Sequence, residues 1–523
     1  MKKIICLLIA LLVVFPLIAS CGGSETTTPS TTAAGNKTTE AKATDNTTKA
    51  TDNPNPTSSD EDAYVFPDID MKGEEFYIME RWFGYGVETI DFTGEVLYVE
   101  PEDGSITPVN AAKKEVIEEV QKKFNCKIVG DINHDEGGVA ALREKVFKDI
   151  TSGTAEYDML FESYYYYAPY IKDGYLYDLT RIDGLDFTRS CWDQHAVEDL
   201  SICGSLYFGI GDINTYDNDG TWVVLFNKKL YEAEGFSDKY GSPYDMVNNK
   251  TWTLDKLGTI AKEATKNISG GEDLDQLDQW GLGTETYNLY LHCLAGGKRI
   301  VGKDSNDEPV LTMLDETTYK ILTDAVTLYT SGKVLVADDG SWEGKVQSIY
   351  RDTVTNAFLE GRELFYMCGL IHVPYFRNMD DDFGILPVPL YSETQDRYYS
   401  SVSNYNNSCV MIPNHAGKVS KNIGYVIQAL AELSKEKVTP EYYNKQLKGR
   451  DTRDDESIPM LDLIFENRVF DLGAVFGTSW GGADKLYTQL DLNIVSRFEK
   501  AADSIEARMQ DDVDIIKEMQ ENQ

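Results

Sequence analysis

The stretch "AAKKEVIEEVQKKFNCKIVGDINHDEGGVAALREKVFKDITSGTAEYDMLFESYYYY" (residues 111–167) decides the fold. Its first part places Val116, Val120 and Phe124 on one helical stripe. "CKIVGDI" then reads as a strand, "GGVAALREKVFKDITSG" as a helix ended by Gly153, and "YDMLF" as a short buried strand. Helix and strand in alternation mean a parallel sheet covered by helices, an α/β architecture. In such sheets ligands bind just outside the carboxyl ends of the strands. Glu162 and Tyr164 to Tyr167 fall past one of those ends. Four tyrosines in a row suit neither period well: a strand sends alternate rings to opposite faces, and a helix spreads them around its circumference. A tyrosine ring with its polar tip does suit a surface that must be sticky and wet at once.

Upstream, Lys2 and Lys3 precede the apolar run "IICLLIALLVVFPLI", which ends in small residues and a cysteine. This is the layout of a secretory signal, and the run falls short of the roughly 20 residues that span a bilayer. Ile18-Ala19-Ser20-Cys21 resembles the lipobox of bacterial lipoproteins. That resemblance implies a signal peptide over residues 1–20, cleavage before Cys21, and acyl chains such as palmitate on Cys21. The expected location is the outer face of the cell membrane, held by lipid. Residues 21–61 then form a Thr-rich tether without aromatic or large aliphatic residues. Such a segment cannot bury a core and is expected to be disordered.

The remaining residues, 62 to 523, hold all seven tryptophans and are long enough for two lobes. Nearly all of the net charge of −38 falls on them. A body that acidic repels nucleic acid and anionic lipid, so no nucleic-acid partner is expected. Beyond Cys6 and Cys21, the cysteines are Cys126, Cys191, Cys203, Cys293, Cys368 and Cys409. Six scattered through so long a domain make no disulfide framework, although Cys191 and Cys203 could pair across a short connection. There is no CxxC, and none of the five histidines has zinc-ligand spacing, so no metal or other cofactor is expected.

Further along, "GTWVVLFNKKLYEAEG" reads as a strand entering a helix, and "KTWTLDKLGTIAKEATK" as a helix from Leu254 with Thr253 as its N-cap. The run "WVVLFNKKLYEAEGF…NNKTWTLDKLGTIAKEAT" resembles a segment of the extracellular solute-binding proteins, family 1 of the ABC-importer receptors, at the point where the chain crosses between lobes. "YDMLFESYYYYAPYIKDGYLYDL", "ELFYMCGLIHVPYF" with "DDFGILPVP", and "NNSCVMIPNHAGKVSKNIGYVIQALAEL" resemble later landmarks of that family. "YYNKQLKGRDTRDDESIPMLDLI" is similar to its clostridial branch. The resemblance implies a two-lobe periplasmic-binding-protein-like fold with three interlobe crossovers. The first lobe would hold residues 62–216 and 384–412, and the second 217–383 and 413–523. It also implies a receptor without catalysis, a monomer that closes on a carbohydrate by hinge motion and delivers it to the membrane subunits of an ABC permease.

Aromatic rings pack on the C–H faces of sugars, while planar polar groups take the hydroxyls. Near predicted strand ends the chain offers Arg81 and Trp82, Glu162 with Tyr164 and Tyr165, and Asp219 with Trp222. Later come Gly369 and His372, and Trp480 between small residues. Each could equally be a core or rim residue. The loop at Gly369 is followed by Leu370-Ile371-His372, where maltose-binding relatives carry tryptophan, and this departure argues against a malto-oligosaccharide. The acidic stretch "GGEDLDQLDQWG" offers Asp273, Asp275 and Asp278 as a weak calcium candidate. It lacks EF-hand spacing, and a solvated turn is the simpler reading. The rival functions are a surface polysaccharide adhesin and a glycoside hydrolase lipoprotein. Carboxylate abundance discriminates neither.

Overall fold

The computed structural model describes residues 63–81, 94–98, 105–133, 138–415, 418–443 and 454–522. Trp82, Cys21, the signal segment and the tether lie outside the described residues. The strands that position the site are β1 (Glu74–Arg81), β2 (Cys126–Asn133), β3 (Met159–Glu162), β4 (Trp222–Asn227), β5 (Trp280–Thr284), β6 (Leu335–Val336), β7 (Glu363–Gly369), β8 (Phe383–Leu386) and β9 (Cys409–Met411).

The opening stretch folds as its pattern dictates. Helix α1 (Pro108–Phe124) buries Val116, Val120 and Phe124. Its start is fixed by Thr107, whose side chain accepts from the Asn110 amide, and by Pro108 at the first position. Helix α2 (Gly138–Ser152) stops at Gly153, which takes φ +66°. β1 runs parallel to both β2 and β3, and β9 closes the sheet antiparallel to β3, giving the order β9-β3-β1-β2.

A second sheet has the order β8-β4-β7-β5-β6. β4 and β7 are buried along their whole lengths, which is why both read as continuous apolar runs instead of alternating ones. β4 pairs antiparallel with β7, in the register Trp222 opposite Gly369, while β5 runs parallel to β7. Antiparallel pairing puts the first residue of β4 beside the last residue of β7. The carboxyl ends of β5 and β7 therefore share one edge of the sheet with Trp222.

Each sheet is the centre of one α/β lobe, and the chain passes between them three times, the second and third passages falling elsewhere than the sequence suggests. β8, expected to open the return to the first lobe at residue 384, instead pairs with β4 in the second sheet. The return comes between Leu386 and Cys409. Helix α3 (Ile423–Pro440), expected in the second lobe, packs on α1 in the first. Its Gln428 accepts hydrogen bonds from the Asp186 amide and the Trp192 indole. The third passage falls after Pro440, because Ser457–Glu466 packs against β8 and Ser457 Oγ accepts from the Ile385 amide at 3.0 Å. Local pattern reports a strand or helix, whereas lobe membership depends on partners far away in sequence.

Cys126, Cys191, Cys203, Cys293, Cys368 and Cys409 are all free thiols. Cys191 and Cys203 do not pair: Cys191 is buried against Glu432 and Gln428 instead.

Candidate functional site

A pocket of about 520 Å³, part of it open solvent, lies at the shared edge of the second sheet. Trp222, Tyr366, Gly369 and His372 line it from β4, β7 and the turn that follows β7. Thr284 and Glu285 enter from the end of β5, and Ser403 and Asn406 from the segment leading into β9. Among the described residues, no Lys or Arg lines it.

Trp222 is 6% exposed, and its indole Nε1 has no hydrogen-bond partner among the described residues. Buried polar groups of folded proteins are nearly always paired, so an orphan donor on a pocket wall is a place for a ligand acceptor. His372 sits in a 3₁₀ turn, Leu370–Phe376, with Nδ1 3.3 Å from the Gly369 carbonyl and its ring stacked on Tyr375. Burial pulls its pKa down to about 4. The imidazole is therefore neutral near pH 7. Burial, reinforced by Asp338, pushes the Glu285 carboxyl up to about 8.

The Ser403–Asn407 segment ties this pocket to the first sheet. The Ser403 amide donates to the Gly220 carbonyl at 2.8 Å on the pocket side. On the other side Ser163 Oγ donates to the Asn404 carbonyl at 2.7 Å, and Asn407 Nδ2 donates to Ser163 Oγ at 3.0 Å. The approach at Gly220 leaves no room for a side chain, since a Cβ there would stand 1.7 Å from the Asn406 carbonyl oxygen.

Of the sequence candidates, Trp222, Gly369 and His372 come together in the pocket. Asp219 stands next to it, where its Oδ1 accepts from the Tyr442 hydroxyl at 2.7 Å. Arg81 and Glu162 pair with each other at 2.9 Å at the ends of β1 and β3. Burial raises the Glu162 pKa against the opposing pull of Arg81. Two candidates are corrected. Trp480 is wholly buried, stacked on Phe476 at 4.6 Å, and its indole donates to Asp512 at 3.0 Å, so the flanking small residues admit core packing and not a ligand. Tyr164 is buried in the core beside Phe208.

The reason lies in local geometry. Tyr164–Tyr167 form one helical turn capped by Ser163, and residues three apart share a face. Tyr164 and Tyr167 both point inward, while Tyr165 and Tyr166 stay half-buried. Tyr166 carries Arg81 over its ring, and Tyr165 packs on Tyr405 at 4.6 Å. From Tyr405 the ring contacts continue to Tyr287 and then to Trp222, so the tyrosine cluster reaches the pocket through intermediaries.

The acidic stretch is a turn held by its own backbone. Asp278 is fully buried and accepts the Ile268, Ser269 and Asp275 amides at 2.7 Å each. Its oxygens are committed there. No group of three potential metal-ligating side chains occurs among the described residues. The pocket residues missed from sequence include Glu285, Tyr366, Ser403 and Asn406. Glu285 directly follows a parallel strand, so the strand-end rule applied to "WGLGTE" finds it. Ser403 and Asn406 carry no comparable signal.

Residues 103–354 match the family model described as bacterial extracellular solute-binding protein. Over that segment, a little under half of its length, the chain is similar to bacterial extracellular solute-binding proteins. Solved structures share the two-lobe periplasmic-binding-protein-like fold. One is a cyclo/maltodextrin-binding protein complexed with maltotetraose, at 15% identity, 86% of this chain, 97% of the other and TM-score 0.52. Another is UspC of M. tuberculosis, at 14% identity, 83% of this chain, 100% of the other and TM-score 0.51. A third is the maltose/maltodextrin-binding domain MalE of Bdellovibrio bacteriovorus bound to maltotriose, at 14% identity, 84% of this chain, 99% of the other and TM-score 0.50. No curated protein sequence matches the chain.

Proposed function

We propose that the protein is the lipid-anchored extracellular receptor of an ABC importer, holding a mono- or oligosaccharide between its lobes and surrendering it to the permease. The observation that carries this reading is the pocket at the strand ends. Trp222 and Tyr366 supply ring faces there, and the Trp222 indole, Ser403 and Asn406 supply hydrogen-bonding groups. Apolar walls with a few convergent polar groups are the usual form of a small-molecule site. Sugar-bound structures of the same fold support the ligand class. In this reading Trp222, Gly369 and His372 contact the ligand with Glu285 and Asn406, and Tyr165 and Tyr405 form the rim.

The test is a thermal-shift panel of sugars, amino acids, peptides and polyamines on the purified folded body. A sugar at 100 times its dissociation constant should stabilise by about 2.7 kcal/mol, without turnover. Release of hydrolysed sugar would point to the glycosidase, and a shift with peptides alone would overturn the carbohydrate reading. Anchoring through Cys21 predicts that Cys21→Ser accumulates as unprocessed precursor, visible by mass. Normal processing of that variant would remove the lipoprotein assignment.

A further inference from the structure

The charges around the pocket say more about the solute than the rings do. Glu285 enters at the end of β5, and its carboxylate makes no hydrogen bond or ion pair among the described residues. The charge acting on it is another acid, Asp338, which itself accepts the Thr286 amide and hydroxyl at 2.7 and 2.6 Å. Among the described residues, no Lys or Arg lines the pocket beside it. Tyr366 and Cys368 on β7 feel Glu285 as a repelling charge, and burial keeps both protonated. Burial pushes the carboxyl of Glu363, at the start of β7, well above the usual carboxylate range against the pull of Arg362. His372, in the turn beyond, is neutral.

A half-buried carboxylate facing a second carboxylate, with aromatic rings around it, is a site built for positive charge. Rings attract cations through their faces, and a desolvated carboxylate recovers its cost only from a charged partner with good geometry. A neutral sugar offers hydroxyls to the Trp222 and Asn406 side of the pocket and meets Glu285 only as a protonated acid, whereas a cationic group draws it to its charged form. We propose that the solute is an amino sugar, its protonated amine seated against Glu285 and its ring against Trp222 and Tyr366. This rests on the carbohydrate reading and narrows it. Before binding, Glu285 holds its proton near neutral pH, because its pKa lies at about 8. On binding, the ammonium replaces that proton as the counter-charge and the proton passes to the buffer.

The experiment is calorimetry at pH 7 with glucosamine, galactosamine, mannosamine and their short β-1,4 oligomers. Each is measured beside its neutral parent and its N-acetyl form, in two buffers of different ionisation enthalpy. The expected result is tighter binding of the amino sugars than of either neutral form, with net proton release at pH 7 that turns to proton uptake at pH 9, where Glu285 is already ionised and the amine must take up its proton. Glu285→Gln should weaken amine binding about ten- to a hundredfold, the range for losing a charged hydrogen-bond partner, and abolish the proton release. Neutral sugars binding as tightly as the amines would overturn the amino-sugar proposal and leave the carbohydrate reading standing. Binding of a simple polyamine such as spermidine, with no sugar bound, would overturn both.

Discussion

At Gly220 one hydrogen atom keeps the pocket open. The carbonyls of Gly220 and Asn406 belong to segments that approach until a Cβ would stand 1.7 Å from the Asn406 oxygen. The atom in the way is backbone and cannot rotate aside. Gly220→Ala should therefore push the Ser403–Asn406 segment away from the sheet edge, costing roughly 1–3 kcal/mol as an overpacking change. Because Ser403 and Asn406 line the pocket, ligand affinity should fall with it. Urea unfolding and calorimetry on the same variant check both halves. Wild-type affinity alongside reduced stability would show that these two side chains do not touch the ligand. Nothing in the sequence marks this contact, since "NDGTW" reads as an ordinary turn and its partner lies almost two hundred residues away.

A single helical turn settles the tyrosine question at the scale of elements. Tyr164 and Tyr167 face the core and should each cost on the order of 3–5 kcal/mol when replaced by alanine, the range for removing a large buried ring. Tyr165→Ala and Tyr166→Ala should cost about 1 kcal/mol, as partly exposed sites do. Chemical denaturation of the four variants measures the contrast, and equal losses at all four positions would contradict the turn. Much at this scale was legible beforehand. The stripe of α1, the stop at Gly153, the strand at Met159–Glu162 and the Thr253 cap, which accepts from the Lys256 amide, all follow from local chemistry. The inward turn of Tyr164 was not, because a four-residue helix is too short to show a period. Trp480 misled for a different reason. Glycines beside a tryptophan look the same in sequence whether they admit a ligand or, as here, the Phe476 ring and the helix Ile494–Asn522 that carries Asp512.

Across the whole molecule, buried acids set the response to pH. Burial raises Glu80 and Glu285 to about 8 and Asp212 to about 7. Each is ionised in the unfolded chain above about pH 4.5 but stays protonated in the folded one until its raised pKa is reached. Between those limits the folded state binds more protons, so its stability falls as pH rises. His372 and His292, lowered to about 4 and about 3, act in the opposite direction, but only below about pH 6.5, where the unfolded histidines charge. From pH 6.5 to 8 the acids act without that opposition. The melting temperature should therefore drop across that window, and Glu285→Gln should flatten the slope. A melting temperature that rises with pH there would contradict the buried, protonated state of these groups.

The six free cysteines bear on how such a molecule comes to be folded at all. The lobes are held by packing and hydrogen bonds without a covalent cross-link among these thiols, and burial lifts their pKa values away from the reactive thiolate range. Only Cys203 is part-exposed. Folding is thus indifferent to the redox poise of its surroundings. The body should reach the same shape in a reducing cytosol as outside the cell, needing neither an oxidant nor a disulfide isomerase to complete it.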